Sequence, residues 1–334
     1  MKPIRLGMVG AGGMARWHIE RILKQQDTTR IAAICEPSDA AFAETAKMFK
    51  QAGLKTPARE KDFEAFLAKQ AGKIDAAFVI TPHNQHFAQT MALLAAGVDV
   101  LLEKPMVLNV SQATKLIRQR DKTGRLLAVA FNGSLSPAIR KAAEMIKSGE
   151  LGKLHSISAT VWQDWDRHTL TTWRQIPKIA GGGFLFDTGA HMLNTTADLA
   201  GEPFAEVAAF LDNCGRKVDI VGVAIGRLQN GALVTLHGSG NTVAIDSEIK
   251  VFLEDGVIHT GVWGERLRVH RRGDPAPVDV ALPPSLGAWE TFVSVRQGRI
   301  PNPSPPEIGL RMTQLWDAIK ESAALGGAVV SVKK

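Results

Sequence analysis

Tyrosine is absent from this 334-residue chain, and cysteine occurs only at Cys35 and Cys214. The first absence removes the phenol hydroxyl from every catalytic mechanism considered below. Two cysteines are too few for the disulfide framework of a small secreted protein. We therefore expect a reducing, cytoplasmic environment.

Long apolar runs are missing as well. The opening Met1-Lys2-Pro3 leads directly into an apolar segment, without the charged region and apolar core of a signal peptide. No stretch resembles a membrane span of about 20 apolar residues. The length and the 45% hydrophobic composition predict a globular protein of about two domains with no membrane partner.

Positive charge exceeds negative charge, giving a formal net charge of +7. Such an excess is typical of nucleic-acid-binding proteins, but it equally suits a protein that binds an anionic cofactor. The basic residues are scattered, except for a group that partly alternates as on the exposed face of a strand: Arg266, Arg268, Arg271 and Arg272. We expect no nucleic-acid partner.

The stretch from Ile4 to Ala15 reads as a strand, a glycine turn and the start of a helix. In dinucleotide-binding turns, one glycine permits the tight turn and another lets a pyrophosphate approach the backbone. The N–H groups and the positive dipole end of the helix then face the phosphates. The residues assigned to a cofactor here are Gly10, Gly12, Gly13 and Met14.

A second predicted strand, Arg30 to Cys35, is followed by Glu36, which lies 23 residues after Gly13. An acidic residue about 20 residues beyond the glycine turn binds the adenosine ribose hydroxyls of NAD. It would repel the 2′-phosphate of NADP unless nearby polar or basic groups compensate: Ser38, Arg59 and Lys61. The alternative is that Glu36 is simply an exposed residue after a strand.

Strands and helices alternate through residue 131, which predicts a parallel, doubly wound sheet. Ligands bind at the carboxyl ends of such strands, where Thr81 and Lys104 join Gly10 and Glu36. An ammonium there can stabilise an alkoxide, although Lys104 could equally form a salt bridge with Glu103. The histidines nearby lack partners at metal-ligand spacing, so we predict no metal.

The second half reads as long alternating strands, with hairpin signals at Asn230-Gly231 and Asp255-Gly256. We expect an antiparallel sheet with helices on one face and a homodimer or homotetramer interface on the other. The predicted domains are residues 1–133 and 134–334. The last helix, about residues 306–325, is expected to pack back on the first domain.

Two segments in the second half carry candidate substrate groups. Trp165, Trp173 and Arg174 combine aromatic faces with a charged donor, which suits sugar binding but also ordinary core packing. If a helix begins at Asp187, then Asp187 and His191 share one face. A carboxylate that orients an imidazole suits a general base, although an ordinary helix pair would look the same.

Together, these motifs resemble the Gfo/Idh/MocA family of nicotinamide-dependent oxidoreductases. The resemblance rests on five stretches in order: Gly10 to Ala15, Thr81-Pro82 with His86, Glu103-Lys104-Pro105, Ser148 to Gly152, and Gly181 to His191. It implies a Rossmann domain followed by an α/β domain with a large open, mostly antiparallel sheet. It also implies NAD, or less readily NADP, held in part by Thr81, Pro82, His86, Glu103 and Lys104.

The resemblance further implies that His191 removes a hydroxyl proton from a sugar, sugar acid or cyclitol. Asp187 would orient His191, and Lys104, before a cis proline, would position the oxygen. Substrate contacts would come from Lys104, Trp165, Trp173, Arg174, Asp187 and His191.

This chain departs from the family pattern at His83, Gly133-Ser134 and Asn194, where many relatives carry other residues. These departures lie around the expected cofactor and substrate sites and leave the three catalytic positions intact. Two alternative functions stay open: an NAD-dependent glycosidase with transient oxidation, and a catalytically silent NAD-binding regulator.

Overall fold

The computed structural model describes residues 2–333. Within residues 2–130, strands and helices alternate in this order: β1 (Ile4–Val9), α1 (Gly13–Ile22), β2 (Thr29–Cys35), α2 (Asp39–Gln51), β3 (Ala58–Glu60), α3 (Phe63–Gln70), β4 (Ala76–Val79), α4 (His83–Ala95), β5 (Asp99–Leu102), α5 (Val110–Thr123) and β6 (Leu127–Val129). The strands pair in parallel in the order β3-β2-β1-β4-β5-β6. This confirms the predicted doubly wound sheet.

Local signals place the helix starts of this half. The hydroxyl of Ser38 accepts the N–H of Ala41 before α2, and the carboxylate of Asp62 accepts the N–H of Ala65 before α3. Both side chains are N-caps, which satisfy donors that a helix start leaves open. Helix α5 begins at Val110, with Ser111 as its second residue.

The remaining described elements are α6 (Asn132–Leu135), α7 (Pro137–Ser148), β7 (Leu154–Trp162), α8 (Trp165–Thr169), a 3-10 turn (Trp173–Gln175), α9 (Pro177–Ala180), α10 (Phe184–Asp187), α11 (Gly189–Ala200), β8 (Phe204–Asp212), β9 (Val221–Leu228), β10 (Leu233–Ser239), β11 (Asp246–Leu253), β12 (Gly256–Thr260), β13 (Leu267–Arg271), β14 (Val278–Asp279), α12 (Ala288–Arg296), α13 (Pro306–Ala324) and β15 (Val330–Ser331).

The nine strands of this second set form one sheet in the order β14-β13-β12-β11-β7-β10-β9-β8-β15. Both predicted hairpins are present, as β9–β10 and β11–β12. Strands β7 and β10 pair in parallel, and the other neighbouring pairs are antiparallel. The large, mostly antiparallel sheet is therefore confirmed.

The chain divides into two compact units. The first runs to Val107 and includes Ser111–Ala130 and Gly287–Pro306; the second holds Leu108–Val110, Phe131–Leu286 and the chain from Glu307 onward. Among the helices of residues 2–333, none is long and apolar enough to span a membrane.

The two C-terminal helices fall in different units: α12 in the first, and α13, from Glu307 onward, in the second. In α12, the indole of Trp289 donates to the hydroxyl of Thr29 at 2.8 Å, and Arg296 pairs with Asp99 at 2.9 Å. Helix α13 lies in the second unit, where Trp316 stacks on Phe186.

Candidate functional site

In the first unit, the glycine turn after β1 leaves the start of α1 open. Gly10 has φ +101°, and a Cβ there would lie 2.4 Å from the carbonyl oxygen of Ile80. A Cβ at Gly12 or Gly13 would meet no atom within 4 Å. Helix α1, whose second residue is Met14, has no side-chain cap at its N-terminus. The turn therefore fits a dinucleotide pyrophosphate, which needs close backbone approach and unpaired N–H groups.

The carboxylate of Glu36 is tied to this turn. One oxygen accepts the N–H of Ala11 at 2.7 Å, and the other accepts the N–H of Ser38 at 2.8 Å. Each carboxylate oxygen can accept more than one hydrogen bond. Glu36 is therefore buried and fixed, yet it can still accept from ribose hydroxyls.

The cations near Glu36 are neutralised by Asp39. Arg59 donates to Asp39 at 2.5 Å, and Lys61 pairs with the same carboxylate at 2.8 Å. The hydrogen bond from Lys61, followed by that from Arg59, lowers the pKa of Asp39. A 2′-phosphate at this position would meet two carboxylates and two cations that are already paired.

At the ends of β4 and β5, His86 bridges two backbone segments. Its Nδ1 lies 2.9 Å from the carbonyl oxygen of Pro105 and its Nε2 lies 2.9 Å from that of Thr81. Burial lowers the pKa of His86, which is 0% exposed. His86 is a predicted cofactor contact, and both of its ring nitrogens lie within hydrogen-bond distance of backbone carbonyl oxygens. Pro82 precedes α4, and the Lys104–Pro105 peptide bond is cis.

The side chain of Glu103 contacts both the backbone of Lys104 and helix α1. Its Oε1 lies 2.7 Å from Nε2 of His18 in α1, and its Oε2 accepts the backbone N–H of Lys104 at 3.0 Å. Both side chains of the His18–Glu103 pair are buried. His18 was missed by the sequence analysis, because a histidine within a helix pattern carries no local signal of its partner.

In the second unit, Asp187 is the last residue of the short helix α10, whereas the sequence analysis expected a helix to begin there. Its Oδ2 accepts the indole N–H of Trp165 at 2.9 Å and the Nε–H of Arg174 at 2.7 Å. Trp165 is only 2% exposed, so it cannot offer a ring face to a sugar, contrary to the expectation for it. Trp173 is half-buried, and the Arg174 guanidinium lies 4.4 Å from its ring centroid.

His191, the third residue of α11, lies between two aromatic rings. Its ring centroid is 6.1 Å from that of Phe131 and 5.8 Å from that of Trp263. Strand β12 ends at Thr260, and Trp263 stands in the following loop. Its flanking glycines, Gly261 and Gly264, were the available signal for a loop.

A buried network below His191 contains two of the departures from the family pattern. The hydroxyl of Ser134 donates to Asp198 at 2.5 Å and accepts the amide N–H of Asn194 at 2.7 Å. Asp198 also pairs with Arg140 and with Arg311, at 2.7 and 2.8 Å. Ser134 and Asn194 therefore form one self-consistent set that supports α11.

Gly133, the third departure in this region, is required by packing. A Cβ there would lie 2.2 Å from the hydroxyl of Thr195. The fourth departure, His83, is buried in the first unit beside His86, with ring centroids 5.7 Å apart.

Comparisons with known proteins agree with this architecture. Residues 4–131 match the family described as "Oxidoreductase family, NAD-binding Rossmann fold", and residues 139–259 match the GFO/IDH/MocA C-terminal domain. The rhizopine catabolism protein MocA of Rhizobium meliloti is 27% identical over 60% of this chain and 59% of its own length. The chain thus spans about three fifths of that relative.

Two further similarities extend over more of the chain. The myo-inositol 2-dehydrogenase of Thermotoga maritima is 26% identical over 76% of this chain and 74% of its own length. An inositol dehydrogenase homologue from Azotobacter vinelandii, solved with NAD+, has a TM-score of 0.84 and 20% identity, covering 99% of this chain and 97% of that one. The glycine turn, the two sheets and the family matches together show that the chain belongs to the GFO/IDH/MocA family.

Proposed function

We propose that this protein is an NAD-dependent dehydrogenase or reductase acting on a secondary alcohol, or its ketone, of a sugar, sugar acid or cyclitol. The observation that carries the proposal is the Asp187 carboxylate, buried and held by Trp165 and Arg174, four residues before His191. A carboxylate held in one orientation four residues before an imidazole suits an oriented general base.

In the proposed reaction, the imidazole of His191 takes the proton of the substrate hydroxyl. Asp187 supplies negative charge that favours the resulting imidazolium. The ammonium of Lys104 positions the substrate oxygen and stabilises its developing negative charge. When bound, a nicotinamide dinucleotide accepts the hydride in oxidation or donates it in reduction.

The substrate class is supported by the names of the relatives. The Thermotoga relative is a myo-inositol 2-dehydrogenase, and a relative from Escherichia coli is a D-glucoside 3-dehydrogenase. Both names denote enzymes that oxidise ring hydroxyls. Trp263 adds support, because an aromatic face beside a base suits the C–H face of a ring substrate.

NAD is the proposed cofactor rather than NADP. Glu36 offers acceptors to ribose hydroxyls, and Asp39 occupies both Arg59 and Lys61. A 2′-phosphate would therefore meet the carboxylate of Glu36, while the two nearby cations are already paired with Asp39.

We also propose a homodimer or homotetramer formed through the open face of the second sheet, in a cytoplasmic setting. Four large apolar side chains on β8, β9 and β10 are exposed on that face, beside the Glu206–Arg227 ion pair: Phe210 (66% exposed), Val223 (46%), Ile225 (58%) and Leu233 (52%). Monomeric proteins seldom expose a contiguous apolar area of this kind. Both cysteines are free, which suits a reducing compartment.

The test measures reduced-nicotinamide absorbance with a panel of sugars, sugar acids and cyclitols, with NAD and NADP in parallel. His191→Ala and Lys104→Ala should each lower kcat by at least about 100-fold while NAD affinity stays within about threefold. His155→Ala and Lys50→Ala, at exposed positions in the second and first units, are the matched controls.

Near-normal turnover in both site variants would remove the assigned roles. If the wild type binds NAD but gives no change in reduced-nicotinamide absorbance with any substrate of the panel, the proposed dehydrogenase activity would be contradicted. Aglycone release from glycosides would then favour the glycosidase with transient oxidation, and its absence would favour the silent regulator.

A further inference from the structure

A buried carboxylate outside the proposed chemistry belongs to Asp219, in the connection between β8 and β9. Asp219 is 6% exposed. Its Oδ1 accepts the N–H of Gly183 at 2.6 Å, and its Oδ2 accepts the N–H of Leu185 at 2.9 Å. Its backbone carbonyl accepts the N–H of Phe184 at 2.8 Å. Three successive backbone donors therefore end on one residue.

These donors form the start of α10, the helix that ends at Asp187. The first N–H groups of a helix have no partner within the helix, and the cap residue here, Gly183, has no side chain that could accept them. Asp219 supplies that cap from a distant part of the chain. An isolated helical turn of four residues is unstable without such support.

The glycines before α10 allow this close approach. A Cβ at Gly183 would lie 1.9 Å from the carbonyl oxygen of Asp219. A Cβ at Gly182 would lie 2.5 Å from the Cβ of Phe186, inside the same turn. The triple-glycine segment is thus shaped to let Asp219 contact the backbone that carries Asp187.

We infer that Asp219 is a positioning residue for the proposed reaction: it fixes the turn that carries Asp187, the carboxylate proposed to orient His191. This inference rests on the proposed function. Asp219 touches neither reacting group itself. Burial raises the pKa of Asp219, while the backbone N–H groups oppose that rise.

The first variant to test is Asp219→Asn, which preserves size but turns one acceptor into a donor facing a backbone N–H. We expect faster hydrogen exchange confined to residues 183–187 and a kcat at least tenfold lower. KM and the NAD dissociation constant should stay within twofold. A role in stability alone would lower the melting temperature and leave kcat per folded molecule unchanged.

The matched control is Asp212→Asn. Asp212 lies before the same connection, and its carboxylate accepts the backbone N–H of Cys214 at 2.7 Å. This control should change neither kcat nor exchange at residues 183–187. A second variant, Gly183→Ala, places a methyl group against the carbonyl of Asp219 and so disrupts the same contact. It should reproduce the loss of kcat.

Asp219→Asn with kcat within twofold of the wild type, or with unchanged exchange at residues 183–187, would overturn the inference. Failure of both Asp219→Asn and Gly183→Ala to fold would also overturn it, because Asp219 would then be a folding determinant. A wild type without turnover on any substrate would count against the proposed function. Hydrogen exchange at residues 183–187 would still show whether Asp219 holds the turn in place.

Discussion

Nε of Arg174 donates to Oδ2 of Asp187 across 2.7 Å, and Nε1 of Trp165 donates to the same oxygen across 2.9 Å. The carboxylate is only 5% exposed, so these two donors replace water around that oxygen. The guanidinium also balances the charge of Asp187 in a place that water barely reaches. The segment from Trp165 to Arg174 therefore supports the proposed base through Asp187.

Replacing Arg174 with lysine should impair the reaction even though the substitution preserves the positive charge. Lysine keeps the positive charge but lacks the planar fork that sets the direction of the Nε–H. We expect kcat/KM to fall by about 10- to 100-fold, because a hydrogen bond to a charged group contributes about 1.5–3 kcal/mol.

Steady-state kinetics check this prediction. The control is Arg272→Lys, whose exposed pair with Asp255 joins the end of β13 to the β11–β12 turn and should leave kcat/KM unchanged. Equal kinetics for the Arg174 and Arg272 variants would contradict the role of the guanidinium.

Removing the ring of Trp263 should weaken catalysis through His191. Trp263→Ala deletes the aromatic contact at 5.8 Å, which is worth about 1 kcal/mol and therefore about fivefold in kcat/KM. Trp263→Phe keeps an aromatic face and should retain most of the activity. Phe252→Ala, at an exposed position on β11, is the control. Unchanged kinetics in Trp263→Ala would show that the ring does not influence the base.

His18 should matter to Lys104 through Glu103. His18→Leu leaves a buried carboxylate without its imidazole partner, which costs about 1–3 kcal/mol of stability. We expect a lower melting temperature and a lower kcat/KM. The decisive measurement is a double-mutant cycle with Glu103→Gln. The second substitution should add little to the effect of the first, because both remove the same His18–Glu103 contact. Fully additive effects would show that the pair is not coupled.

Asp39 should restrict the use of NADP. Asp39→Asn frees Arg59 and Lys61 to bind a phosphate near the start of α2, so the affinity for adenosine 2′,5′-bisphosphate should rise about tenfold. Affinity for AMP should not change, and Glu44→Gln, which removes an exposed pair on α2, is the control. Calorimetric titration provides both values. An unchanged preference between the two nucleotides would assign the selectivity to Glu36 alone.

The free energy of unfolding should depend on pH because of the ionisation of Asp219. Its pKa is raised in the folded state, so folding takes up a proton in the range between its unfolded pKa, about 3.9, and the higher folded value. The free energy of unfolding of the wild type should therefore fall, relative to that of Asp219→Asn, as the pH rises through this range. Urea unfolding at several pH values measures the difference. A difference that does not change with pH would contradict the shifted pKa.

The order of strands and helices was readable from the sequence because its signals are local. Gly10 needs its positive φ within one turn, Ser38 and Asp62 cap the helices that follow them, and Asn230-Gly231 forms a hairpin between adjacent strands. Turn residues, caps and apolar periodicity act over a few residues, so no knowledge of distant contacts is required. For the same reason, motif spacing was enough to nominate Lys104, Asp187 and His191.

Tertiary structure alone decided which distant residues support those groups. Asp219 caps a turn 36 positions earlier, and Glu103 meets His18 across 85 positions. Trp263 reaches His191 from a loop after β12, and Trp165, which looked like a sugar platform, is buried against Asp187. Such contacts depend on which strands become neighbours and how closely backbones approach, and no local pattern of residue types encodes either.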